Sequence, residues 1–153
     1  MITTACVYSL PSPERATHDG LRVLVMRHWP RGIAWSQVDI WIPSAAPSAD
    51  LLAAYRAGRI SWEAFADAYR TEQMTTQGCT VLVPAQQQQT KQRSVTVCVP
   101  TFRPLELLSW FELVCGTITL LCVEQDGLPC HRHELQRLLE AEKGAAERGV
   151  TYA

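Results

Sequence analysis

Residues 130–133 read Cys130-His131-Arg132-His133, which puts a thiol, two imidazoles and a guanidinium at four successive positions. A thiolate is a nucleophile and a metal ligand, an imidazole moves protons near neutral pH, and a guanidinium holds oxyanions in a fixed fork. A second group stands at Arg27, His28 and Arg31, around Trp29 and Pro30. Residues 22–31 contain three arginines and no acid, so the field there is positive. Capture of a phosphate or carboxylate is the chemistry this favours. The same field, added to a helix start, would favour the thiolate form of Cys130. Cys130 and His131 are therefore the candidate catalytic residues. Arg27, His28, Arg31, Arg132 and Glu124 are the candidate ligand-binding residues, and Cys130 is expected to be the most reactive of the six cysteines.

Other readings of these residues are weaker. Phosphatase loops place an arginine six residues after the cysteine, and position 136 is Gln136. Cys122, Cys130, His131 and His133 match no standard zinc spacing. Adjacent residues such as Cys130 and His131 are not expected to face one ion, so no metal and no cofactor is assigned. A purely structural alternative pairs Arg27 or Arg31 with Glu124 to tie two strand ends together. Trp29, Trp35 and Trp41 could stack nucleic-acid bases, but read better as anchors of an irregular connection. Cys6, Cys98, Cys115 and Cys122 lie in or beside apolar runs and are expected in the core.

Positioning these groups requires strands that end at them. The apolar runs at 21–26 and 117–123 read as strands covered on both faces, as in a parallel sheet. The first runs into Arg27 and the second into Glu124. If the two are parallel neighbours, both sets converge at one sheet edge, where open α/β sheets bind ligands. A short strand is expected at 4–9, a loop at 10–20, and an irregular connection at 33–46. A helix follows with Ser48 or the residue before Pro47 as its cap, and another opens at Ser61. Strands at 80–84 and 94–99 flank a glutamine-rich loop, forming a hairpin over roughly residues 79–100. A helix begins near Pro104 and stops at Gly116. The last runs from about 130 to 143, with a fraying tail. The expected fold class is α/β, a mostly parallel central sheet flanked by helices with an inserted β-hairpin, in one domain spanning 1–153.

The chain has 153 residues, 47% hydrophobic and 19% charged, which suits a folded domain rather than a disordered one. Its net charge of −1 offers no global attraction to nucleic acid or anionic membranes. No apolar run approaches a spanning helix and no signal segment opens the sequence, so a cytoplasmic protein is expected.

One family carries this pattern. The first half resembles the YeaO-like family, domain of unknown function 488. The resemblance rests on Val7-Tyr8, on Asp19-Gly20-Leu21-Arg22-Val23-Leu24-Val25, and on Arg27 with Trp29-Pro30-Arg31-Gly32. It continues through Asp39-Ile40-Trp41, Ala46-Pro47-Ser48 with Leu51, and Trp62-Glu63-Ala64-Phe65 with Tyr69-Arg70. It covers roughly residues 5–72 and resumes at about 104–140. Met26 stands where the family usually has an acid, and residues 75–101 read as an insertion. Leu121-Cys122-Val123-Glu124 and Cys130-His131-Arg132 resemble another branch of the superfamily. The resemblance implies a compact intracellular α/β domain of undetermined activity.

The expected function is binding of an anionic, phosphate-bearing ligand at the Arg/Cys/His site, with catalysis through Cys130. The alternative is a non-catalytic module for nucleic acid or a protein partner. The valines of the hairpin point to the main sheet or a second copy as its neighbour, so a homodimer is a further expectation.

Overall fold

The computed structural model describes residues 1–10, 20–84 and 94–149. Among these residues six strands form one sheet: β1 (Ile2–Cys6), β2 (Leu21–Leu24), β3 (Ile40–Trp41), β4 (Cys79–Pro84), β5 (Ser94–Val99) and β6 (Ile118–Cys122). Their spatial order is β1-β6-β2-β3-β4-β5. β6 lies between β1 and β2 and runs parallel to both, with Cys6 opposite Cys122 and Leu24 opposite Leu121. β2 and β3 are also parallel, whereas β3–β4 and β4–β5 are antiparallel. The sheet is thus mostly parallel, and the hairpin extends it at one edge.

Four helices, α1 (Ala49–Arg56), α2 (Trp62–Thr75), α3 (Pro104–Cys115) and α4 (His131–Glu147), cover one face. Ser48 caps α1 by accepting from the Leu51 amide, and Ser61 caps α2 by accepting from Ala64. Pro104 occupies the first turn of α3, and Gly116 ends it at a φ of 79°. Strand alternation sorts the core. Val23, Val25, Ile118 and Leu120 face the helices and pack with Phe65, Tyr69, Leu105, Leu108, Leu135 and Leu139. Each such fully buried side chain contributes about 1.5–3 kcal/mol. Leu24 and Leu121 point the other way, against Val7, Ile33 and Val38, with Met26, Trp29 and Trp41 closing that side. The second face is therefore covered by the β2–β3 connection instead of helices. Its tryptophans are anchors: Trp29 stacks on Trp35 at 4.1 Å and meets Trp41 edge-on at 5.6 Å. Trp41 Nε1 donates to the Met26 carbonyl at 2.6 Å.

Gly20 starts β2 at a φ of 70°, and a Cβ there would stand 2.2 Å from the Thr117 carbonyl oxygen. Only glycine permits this approach between the starts of β2 and β6.

Several boundaries differ from expectation. The first strand occupies Ile2–Cys6, and Val7–Ser9 is a 3-10 turn. β3 is two residues long, too short to give a periodic signal within the irregular connection. α4 continues past 143 to Glu147 because Ala145 is buried. Cys98 and Cys115 are exposed, not core. Cys98 lies on the edge strand and Cys115 on the last turn of α3, where an apolar neighbourhood in sequence is not an apolar neighbourhood in space. The glutamine tract, most of the loop at 10–20 and the tail from 150 lie outside the described residues.

Candidate functional site

The site forms where β6 stops and α4 starts. Cys122 is the last residue of β6, and Glu124 follows two positions on, so alternation turns both toward the α4 side. Asp126 and Gly127 turn the chain back. Cys130 stands at the N-cap of α4 with extended backbone, φ −150° and ψ 142°, and His131 is the first helical residue. The change from extended to helical backbone rotates the next side chain, so these adjacent residues face one point. Cys130 Sγ lies 3.8 Å and Cys122 Sγ 4.0 Å from His131 Nδ1. Glu124 Oε2 accepts from Cys122 Sγ at 2.7 Å and from Cys130 Sγ at 3.3 Å. Cys122, Cys130 and His131 are all buried.

The parallel pairing of β2 with β6 completes the site. His131 Nε2 lies 2.7 Å from the Val25 carbonyl oxygen, which can only accept, so Nε2 carries the proton and donates. Val25 itself follows β2 and donates its amide to Leu121 at 3.1 Å. Tyr69 of α2 sets its ring edge-on to His131 at 5.6 Å and donates its hydroxyl to the Ala45 carbonyl at 2.7 Å.

Arg132 is fully buried. It donates to the Glu124 carbonyl at 2.7 Å and to Asp126 Oδ1 at 2.8 Å, bracing the turn that carries Glu124. His133 turns toward β1, its Nδ1 3.5 Å from Thr4 Oγ1, and is half-buried. It lies outside the donor cluster of Cys122, Cys130 and His131.

The electrostatics follow from these contacts. Hydrogen bonding with Cys130, then burial, push the Cys122 thiol far up. Burial alone would raise Glu124, but hydrogen bonds from Cys122, a backbone amide and Cys130 outweigh it and hold the carboxyl below its ordinary range. Burial works against an imidazolium at His131, yet Cys122, the Val25 carbonyl and Glu124 outweigh it and raise that group. Burial pushes the Tyr69 hydroxyl well up, with Cys130 and Cys122 adding to the effect.

The arginines of the β2 end stand apart from this centre. Arg27 is exposed and donates to the Pro47 carbonyl at 2.9 Å. His28 and Arg31 are exposed, and the Arg31 carbonyl accepts from Tyr8 at 3.0 Å. No ion pair joins Arg27 or Arg31 to Glu124 among the described residues. The group touching Cys130 Sγ is a carboxylate, not a guanidinium. The structure thus brings Cys130, His131 and Glu124 together, leaves Arg27, His28 and Arg31 as an exposed rim at the end of the neighbouring strand, and gives Arg132 a bracing role. Cys122 is buried, as expected of a core residue, and its Sγ also belongs to the cluster. The Cys122-x-Glu124 spacing at a strand end was the available signal, because i and i+2 share a face.

A cavity of about 790 Å³ between α3 and α4, lined by Arg103, Glu112, Leu139 and Lys143, shares no residue with this centre.

A family model described as DUF488-N3a, the active DUF488-N3 subclade, matches residues 5–101. The chain belongs to this DUF488 family. The match runs through the hairpin and includes the rim residues Arg27, His28 and Arg31, but stops before Glu124, Cys130 and His131. No curated protein and no solved structure matches this DUF488 chain. Among its described residues, no helix is long and apolar enough to cross a membrane.

Proposed function

We propose that this chain binds an anionic, phosphate-bearing ligand at the carboxyl ends of β2 and β6, with thiol chemistry at Cys130. One observation carries the reading. Parallel neighbours end side by side, one in the exposed cations Arg27, His28 and Arg31, the other in a Cys–Glu–Cys–His centre. In this reading the rim attracts the anion, and Cys130 is the nucleophile. Its proton passes to His131 Nδ1, 3.8 Å from Sγ and made more basic by its surroundings, while the Glu124 carboxylate, which accepts from Sγ at 3.3 Å, orients the thiol. The nucleic-acid alternative has less support, because Trp29 and Trp35 spend their ring faces on each other.

Calorimetric titration of inorganic phosphate into the chain and into an Arg27→Ala, Arg31→Ala double variant tests the anion half. The expected result is saturable binding weakened at least about tenfold in the variant, since each charged hydrogen bond is worth about 1.5–3 kcal/mol. Equal affinity in both proteins, or no binding to either, removes the reading. Cys130→Ser separates enzyme from module: an enzyme loses turnover and keeps phosphate binding, whereas a module changes in neither.

A further inference from the structure

We infer that Cys122, Cys130 and His131, with Glu124 as fourth donor, form a binding site for a single thiophilic divalent cation of the zinc class. The inference shares side chains with the function proposed above and rests on its reading of the cluster as the working centre, but it needs none of the arginines.

The donor set comes first. Sγ of Cys122, Sγ of Cys130 and a ring nitrogen of His131 all lie within 4.8 Å of one another. Two sulfurs and an imidazole nitrogen select a soft or borderline ion; magnesium and calcium require oxygen. Zinc bonds of about 2.3 Å to sulfur and 2.0–2.1 Å to nitrogen place tetrahedral sulfur and nitrogen ligands about 3.6 Å apart. The observed separations from Nδ1 are 3.8 and 4.0 Å, so a few tenths of an ångström of closure suffices. Glu124 Oε2 stands 2.7 and 3.3 Å from the two sulfurs, outside the tight group that the sulfurs form with His131, and would swing toward the imidazole side to ligate as the fourth donor.

Orientation is the second, independent observation. The Val25 carbonyl takes the Nε2 proton at 2.7 Å, which leaves the Nδ1 lone pair aimed between the thiols. Metal-bound histidines are held by this kind of second hydrogen bond, which fixes the tautomer. Arg132, on the Glu124 carbonyl and on Asp126, fixes the turn that presents the carboxylate. Cys122 stands on an interior strand of the sheet, and Cys130 and His131 at the start of a long helix, both rigid supports.

Without metal, the two thiol protons point to the Glu124 carboxylate. Binding forms two metal–thiolate bonds and releases both protons to solvent, so affinity rises with pH. A metal-bound Cys130 is no longer a free nucleophile. Metal occupancy and alkylation of Cys130 therefore exclude each other.

Cobalt(II) is the probe. Titrated anaerobically into the reduced full chain, it should give a sulfur-to-cobalt charge-transfer band and strong tetrahedral visible bands, saturating at one ion per chain and displaced by zinc. Cys122→Ser and His131→Ala should each weaken binding by about tenfold or more, while a Cys98→Ser, Cys115→Ser double variant keeps it. Should the site variants fail to fold, the wild-type chain still decides. Zinc should slow alkylation of Cys122 and Cys130 at least tenfold, read by peptide mass spectrometry, and leave the exposed Cys98 and Cys115 unchanged. Absence of the charge-transfer band, or zinc protection confined to Cys98 and Cys115, overturns the site. The Arg27→Ala, Arg31→Ala variant should bind cobalt normally. Cobalt binding by the wild-type chain without phosphate binding fails the anion reading alone, and phosphate binding without the cobalt band fails the metal site alone.

Discussion

His131 Nε2 donates to the carbonyl oxygen of Val25 at 2.7 Å across 106 positions of sequence, and this bond turns Nδ1 toward Cys122 and Cys130. It joins the end of β2 to the start of α4 and fixes which nitrogen of a buried imidazole faces the thiols. His131→Ala leaves the Val25 carbonyl unpaired and opens a void beside Tyr69. The expected loss is about 2–3 kcal/mol, or about 4–12 °C in melting temperature for a chain of this size. A urea-denaturation change below about 0.5 kcal/mol, the range of ordinary surface substitutions, would show that the bond carries no such weight.

Arg132→Met keeps most of the aliphatic stem and deletes both contacts to the Glu124–Asp126 turn. The expected cost is about 2–3 kcal/mol. Arg70→Ala is the comparison: its pairs with Asp67 and Glu134 involve a side chain that is 41% exposed, and the expected cost is below about 1 kcal/mol. Equal costs would mean that burial of Arg132 has no energetic role.

Glu124 supplies the pH signature. Its folded-state carboxyl is held below the ordinary value, so it contributes stability that is present above the unfolded value of about 4.3 and is lost as the pH falls through the folded value. Glu124→Gln removes that contribution. The wild type should exceed the variant in urea midpoint at pH 7, and the gap should narrow as the pH falls below the unfolded value. A gap that stays the same size as the pH falls would rule out an ionised Glu124 as its source.

Among the described residues β5 pairs with β4 alone and forms the sheet's outer edge, with Val97 46% exposed. An exposed edge of this kind joins copies readily. Light scattering of the intact chain should show dimer growing with concentration, and Val97→Lys should shift it to monomer. An intact chain that stays monomeric at high concentration removes the hairpin as a dimer contact.

Much of the fold is legible locally. Ser48, Ser61 and Gly116 mark helix ends because a cap answers to the next three or four amides. The runs ending at Met26 and Val123 announce buried strands because an element covered on both faces carries no polar alternation. Family membership, too, follows from short motifs at fixed spacing in the first half. β3, of two residues, left no such trace.

The site itself divides differently. The sequence alone set its residue types: Cys130 and His131 at a helix start, and Glu124 after a strand. Which of them meet was decided by the insertion of β6 between β1 and β2, since that register brings the end of β6 beside Val25 and α4 back over both. Local pattern could not supply this, because a side chain's partners depend on contacts across a hundred or more positions. The same register set the buried Cys122 beside Cys130 and His131, left Arg27 and Arg31 on the rim, and drew Arg132 inward to brace a turn. Sequence spacing fixes which face of an element a residue occupies. Only the packed sheet and helices decide what that face meets.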